Sequence, residues 1–216
     1  MHPGVWIGKK FNDAEKKVLI LGESHYGNRD EIGKVTYMTK EIVQKYVGEK
    51  RHIFFDNIAK SFGYESDDIC EFYEQVCFGN YVNVVVDKDG KQNGKFFIEK
   101  NSDTYNKELI DFCVSNSIDI VVCFSMKSYW NLPSGGESKG EVSIKRKNSD
   151  SKIITRKWLY KKGTLRNDSR ILDKDLLVYG LYHPSDRRRY DPQLEYEEYI
   201  SKQPELAWLC NKSESI

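Results

Sequence analysis

The chain has no run approaching the ~20 consecutive apolar residues that a membrane-spanning helix requires, which argues against a helical integral membrane protein. Near Met1-His2-Pro3-Gly4 it lacks a basic stretch followed by an apolar one, so a cytoplasmic location is expected. The five cysteines, Cys70, Cys77, Cys113, Cys123 and Cys210, are odd in number, and no two have CxxC spacing. This argues against a disulfide framework and gives no spacing support to a zinc or iron–sulfur site. Cys70, Cys77, Cys113 and Cys123 fall within apolar periodic segments, where a free thiol behaves as a small hydrophobe. The chain also lacks internal repeats and long low-complexity tracts.

What is present suffices for one core. A chain of 216 residues with 13% aromatics buries enough surface to fold without staples. One domain over 1–216 is expected, acting as a monomer without metal or cofactor. The net charge of +1 is unevenly spread. Lys139 to Arg170 holds eleven Lys/Arg against three Asp/Glu, whereas Ser61 to Val86 holds no Lys or Arg and five acids. The basic segment is either a polyanion contact or a solvated hairpin.

Short apolar runs at Lys17–Gly22, Ile118–Ser125 and Leu176–Tyr182 predict buried strands. Between them, Val35, Met38, Ile42, Val43 and Tyr46 repeat at helical spacing. So do Ile69, Phe72, Tyr73, Val76 and Cys77 after Ser66 as N-cap, and Tyr105, Leu109, Phe112 and Cys113. Met126–Leu132 predicts a short helix. Helices between buried strands imply an α/β fold with a central, mainly parallel sheet. Val142 and Ile144, then Ile154, Trp158 and Tyr160, alternate with polar residues around a turn cluster at 148–151. This predicts a basic β-hairpin inserted at about 139–170.

In open α/β sheets, ligands bind beyond the carboxyl ends of the strands. The first predicted strand ends at Gly22-Glu23-Ser24-His25-Tyr26-Gly27 and the third at Tyr182-His183-Pro184-Ser185, so these motifs are expected to converge. Two of the four histidines, His25 and His183, thus follow buried strands, where imidazole serves as donor, acid or base near neutral pH. Glu23 stands beside them as a carboxylate that activates water or stabilises a cation, or that caps a neighbouring helix.

These landmarks resemble the uracil-DNA glycosylase superfamily. Its members carry a first motif, Gly-x-(Asp/Asn/Ala)-Pro, after strand one, extended in one family to Gly-Gln-Asp-Pro-Tyr-His, and a last motif, His-Pro-Ser. Phe54-Phe55-Asp56-Asn57-Ile58, Gly79-Asn80-Tyr81-Val82 and Ile120–Ser125 with Trp130 and Pro133 fall between them in the expected order. The resemblance implies a three-layer α/β/α fold and excision of uracil or a related damaged base from single- or double-stranded DNA. It implies Glu23 and His183 as catalytic groups, with His183 donating to the oxygen of the leaving base. Asn80 would read the base edge and Tyr26 exclude the thymine methyl. Gly22, Ser24, His25, Phe55, Asn57, Pro184 and Ser185 would complete the base site. Arg187, Arg188 and Arg189, in the loop that enters the DNA groove, and Lys145, Arg146 and Lys147 of the hairpin would meet phosphates.

Ser24 occupies the position at which the most active family has its water-activating Asp. Glu23 resembles a Gly-Glu-Ala-Pro variant that usually carries a cysteine-bound iron–sulfur cluster, whose cysteine pattern is not matched here. Two other readings therefore stand: a glycosylase-like fold that binds nucleic acid or nucleotides without cleaving them, and a serine hydrolase built on Ser24, His183 and an acid such as Asp173. The latter motif misses the Gly-x-Ser-x-Gly elbow by one residue.

Overall fold

The computed structural model describes residues 4–35, 38–49, 52–88, 90–145, 152–165, 170–186 and 189–210. Its centre is a seven-stranded sheet, mostly parallel in its interior, built from strands β1 (Trp6–Ile7), β2 (Val18–Gly22), β4 (Cys77–Asn80), β6 (Ile120–Cys123), β7 (Glu137–Lys145), β8 (Lys152–Tyr160) and β11 (Leu176–Gly180). The spatial order is β1-β4-β2-β6-β11-β8-β7. The inner pairs β4–β2, β2–β6 and β6–β11 are parallel, and β1 and the β8–β7 pair close the two edges antiparallel. Two-residue strands β3 (His25–Tyr26) and β5 (Val85–Val86) form a small parallel ladder, and β9 (Gly163–Thr164) and β10 (Ile171–Leu172) an antiparallel one.

Strands β2, β6 and β11 are apolar runs with buried clusters on both faces of the sheet. With side chains alternating along a strand, Val18 and Ile20 of β2 join one buried cluster and Leu19 and Leu21 the other. Helices α2 (Ile53–Lys60) and α3 (Ile69–Gln75) supply Phe55, Ile58, Phe72 and Tyr73 to the first cluster. Helix α4 (Gly94–Ser115) supplies Ile98, Leu109, Ile110 and Phe112 to the second. The remaining helices are α1 (Met38–Val43), running into a π-helical stretch at Gln44–Glu49, α5 (Met126–Trp130) and α6 (Pro192–Glu198).

Several expectations are corrected in detail. Cys77 opens strand β4 and does not continue the preceding helix, which ends at Gln75. That helix begins at Ile69, with Asp68 and not Ser66 at its N-cap. Cys70 is exposed, whereas the other four cysteines are buried, and all five thiols are free. The basic strands β7 and β8 pair antiparallel, from Glu137 opposite Leu159 to Lys145 opposite Lys152, with a bulge between Ser138 and Glu141. Strand β8 also docks on β11, so the pair continues the main sheet at its edge. Among the described residues no helix is long and apolar enough to cross a membrane.

Candidate functional site

The parallel registers bring Gly22, Asn80, Cys123 and Gly180 to one edge of the sheet. Gly22 pairs with Asn80, Leu21 with Cys123, and Gly180 with Cys123. The residues that follow these positions leave the sheet together, at its carboxyl edge. There they surround a cavity of about 260 Å³, lined by Glu23, Ser24, His25, Tyr26, Asn80, His183 and Ser185 together with Ile42, Tyr46, His52, Phe54, Phe55 and Phe78. That volume lies near the lower end of the roughly 300–1,000 Å³ typical of small-molecule sites. The wall is mainly aromatic. Phe54 tilts against the His183 ring at 5.1 Å between centroids and meets Phe78 edge-on at 6.1 Å.

His183 is fixed in one tautomer by its own motif. The backbone N–H of Ser185 donates to His183 Nδ1 at 3.2 Å, and the Ser185 hydroxyl lies 3.0 Å from the same atom. A backbone N–H only donates, so Nδ1 carries the lone pair and the neutral ring keeps its proton on Nε2. Burial pushes the imidazole below its ordinary value, and the nearby Glu23 carboxylate opposes this shift. His183 is therefore a neutral N–H donor at physiological pH. Asn57 of α2 anchors the motif from behind, its Nδ2 donating to the Pro184 carbonyl at 3.0 Å.

Glu23 sits where β2 meets two other elements. Its Oε2 accepts from the hydroxyl of Ser125, the α5 N-cap, at 2.8 Å, and its Oε1 lies 3.5 Å from Lys127 Nζ. Gly94, the first residue of α4, packs so closely that a Cβ there would meet Glu23 Oε1 at 2.6 Å. The helix N-terminus thus adds partial positive charge beside the carboxylate. Ser24 Oγ is buried without a hydrogen-bond partner.

Asn80 is held by His25. Asn80 Nδ2 lies 2.8 Å from His25 Nε2, which also contacts Thr39 Oγ1 at 2.7 Å. With the amide so oriented, its nitrogen donates to the ring and its Oδ1 is the acceptor turned to other partners. Burial lowers His25 to about 4, so this ring is neutral and structural. Gly22 makes room for the arrangement, since a Cβ there would overlap Asn80 Oδ1. Gly22→Ala is expected to cost about 1–3 kcal/mol through this overlap. Urea unfolding checks it, and an unchanged midpoint would remove Gly22 from the account.

The structure thus gathers Glu23, Ser24, His25, Tyr26, Phe55, Asn80, His183 and Ser185 around one space, and places Gly22, Asn57 and Pro184 immediately behind it. Tyr26 stands at the rim, 51% exposed. Arg189 pairs with Asp186 at 3.3 Å and covers the Tyr182 ring. Lys145 ends β7, and Arg146, Lys147, Arg187 and Arg188 lie outside the described residues. The serine-hydrolase triad does not form: Ser24 Oγ has no partner, and His183 Nδ1 faces Ser185 in place of an acid.

Sequence reasoning missed His52, Tyr46, Phe54 and Phe78 as walls and Ser125 and Lys127 as partners of Glu23. His52 is the α2 N-cap, its Nδ1 accepting from Phe54 N–H at 3.2 Å. Histidine is not one of the usual N-cap residues, so no sequence signal marked this position. Among the described residues no group of three His, Cys, Asp or Glu is placed to hold a metal ion. No protein-family model, no curated protein and no solved structure matches this chain.

Proposed function

We propose that this protein is a divergent DNA glycosylase of the uracil-DNA glycosylase type, with a three-layer α/β/α core, an inserted basic hairpin and an extruded base as its pocket ligand. The observation that carries the reading is the meeting of Glu23, Asn80 and His183, from the ends of three strands, on one aromatic-walled cavity. A flat heterocycle suits walls made of Phe54, Phe78 and Tyr46, and Asn80 Oδ1 suits an imide N–H at the base edge.

In this mechanism the base nitrogen takes the electron pair of the N-glycosidic bond as the sugar becomes oxocarbenium-like. His183 Nε2–H donates to the base oxygen on which the negative charge develops. The Glu23 carboxylate offsets the positive charge on the sugar and accepts a proton from the water that adds to the anomeric carbon. Ser125 and Lys127 hold that carboxylate in place.

The assay is release of uracil from single- and double-stranded oligonucleotides, read as alkali-labile strand cleavage. Cleavage confined to uracil-bearing or damaged strands is the expected result. No release of any base at micromolar enzyme would sink the catalytic reading. Ser24 at the usual carboxylate position favours a second reading, recognition without cleavage, which salt-dependent DNA affinity with no base release would select.

A further inference from the structure

Trp130 is 55% exposed, while the other three tryptophans are partly buried, so its exposure calls for an account. It ends α5, the helix whose N-cap Ser125 holds Glu23. The surface beneath it is built in steps. Gly180 has no Cβ, which would lie 2.6 Å from the Tyr129 ring, and so Tyr129 lies flat on the sheet. Tyr129 stacks on Trp158 of β8 at 4.3 Å. Trp130 then meets Trp158 edge-on at 5.7 Å, and the Arg156 guanidinium lies 4.8 Å from the centre of its ring. Arg156 is itself held by Glu141 at 2.8 Å. An indole fixed this way loses little freedom when a second flat group stacks on it.

Two cations stand nearby, each beside a carboxylate: Arg156 with Glu141 and Lys127 with Glu23. Lys127, three residues before Trp130, occupies the neighbouring position on the helix surface and reaches back to Glu23 at the cavity. Lys127 thus offers an exposed cation on the cavity side of Trp130, and the Arg156 guanidinium lies over the Trp130 ring itself, so an incoming base would take the ring's other face. Alternating phosphates and bases match this order: base in the cavity, phosphate at Lys127, next base on Trp130.

We infer that the α5–β8 surface is a second nucleotide subsite, in which Trp130 stacks a base flanking the one in the cavity and Lys127 contacts the phosphate between them. The occupant is single-stranded nucleic acid, because a base in a duplex presents no free face to an indole. The order of contacts rests on the glycosylase reading, but the stacking on Trp130 does not.

The test is the anisotropy of a labelled oligothymidine titrated with the intact protein over a salt series. Trp130→Ala is expected to weaken binding roughly 5- to 150-fold, and Trp130→Phe to restore most of it. Lys127→Ala is expected to flatten the salt dependence by about 0.7 in the log–log slope. Wild-type affinity in Trp130→Ala, with its melting curve unchanged, or no binding by the wild type, overturns the subsite. Trp130-dependent binding without release of any base leaves the subsite standing while the catalytic reading fails. Base release with binding indifferent to Trp130 does the reverse.

Discussion

Replacing His183 with Ala is expected to slow base release by about 100-fold or more, the usual loss when one donor to a developing oxyanion is removed. Glu23→Gln is expected to cost a similar factor, since roughly 100-fold or more is typical for a positioned acid–base group. The two should differ in pH behaviour. His183 is half-buried and its ordinary value of 6.5 is lowered by desolvation, so it acts as a neutral N–H donor. Activity that depended on an imidazolium would fall as pH rises above its depressed value. Activity that depends on a neutral donor stays level from there through about pH 7.5. A flat wild-type profile from pH 6.5 to about 7.5, before Glu195 ionises, in single-turnover assays with both variants slow throughout, is the expected pattern. A decline over that range that disappears in His183→Ala would replace the neutral donor with a charged one. Melting curves on both variants separate loss of chemistry from loss of fold.

The convergence of the two histidine motifs was legible because it depends on topology. Short buried apolar strands separated by helical stripes leave few arrangements other than a parallel sheet, and such a sheet gathers its strand ends along one edge. Strand β4 was harder to read. Cys77-Phe78-Gly79-Asn80 is short, contains two residues that strands disfavour, and abuts an amphipathic helix whose stripe runs through Cys77 only in sequence. What fixes it as a strand is pairing with β2 on one side and β1 on the other, both non-local.

Part of the cavity wall was illegible for a related reason. Phe55 was named for the base site, but nothing in the sequence sets Phe54 and Phe78 apart from core residues, and only the tertiary packing turns them to the cavity. Ser125, which holds Glu23, comes from 102 residues away. No local pattern announces such a partner. Thr39, which meets His25, lies in a stretch whose periodicity gave the helix but not the polar face turned to the site.

Glu195→Gln is expected to stabilise the protein strongly at alkaline pH and little at acid pH. Glu195 lies on α6, fully buried, and neither carboxyl oxygen has a hydrogen-bond partner. Burial, with Asp191 at the helix N-cap adding like charge, pushes it up from 4.5 to about 8. Because the folded value is raised, between pH 4.5 and 8 the folded state keeps a proton that the unfolded chain releases. Stability from this group is full below about pH 4.5 and is lost as pH rises through 8, in total on the order of 3–5 kcal/mol. At about 2–4 °C per kcal/mol for a chain of this size, the melting temperatures of wild type and variant should diverge by on the order of 10 °C between pH 5 and pH 9. A gap that stays constant over that range would mean that Glu195 is solvated or paired in solution. The consequence reaches the site, because α6 follows the loop that carries His183. Tyr190, buried just before this helix, donates to the carbonyl of Asn57 at 3.1 Å, and Asn57 holds the Pro184 carbonyl. Ionisation of Glu195 should therefore loosen the His-Pro-Ser turn, so that base release by the wild type declines above pH 8 and Glu195→Gln restores it.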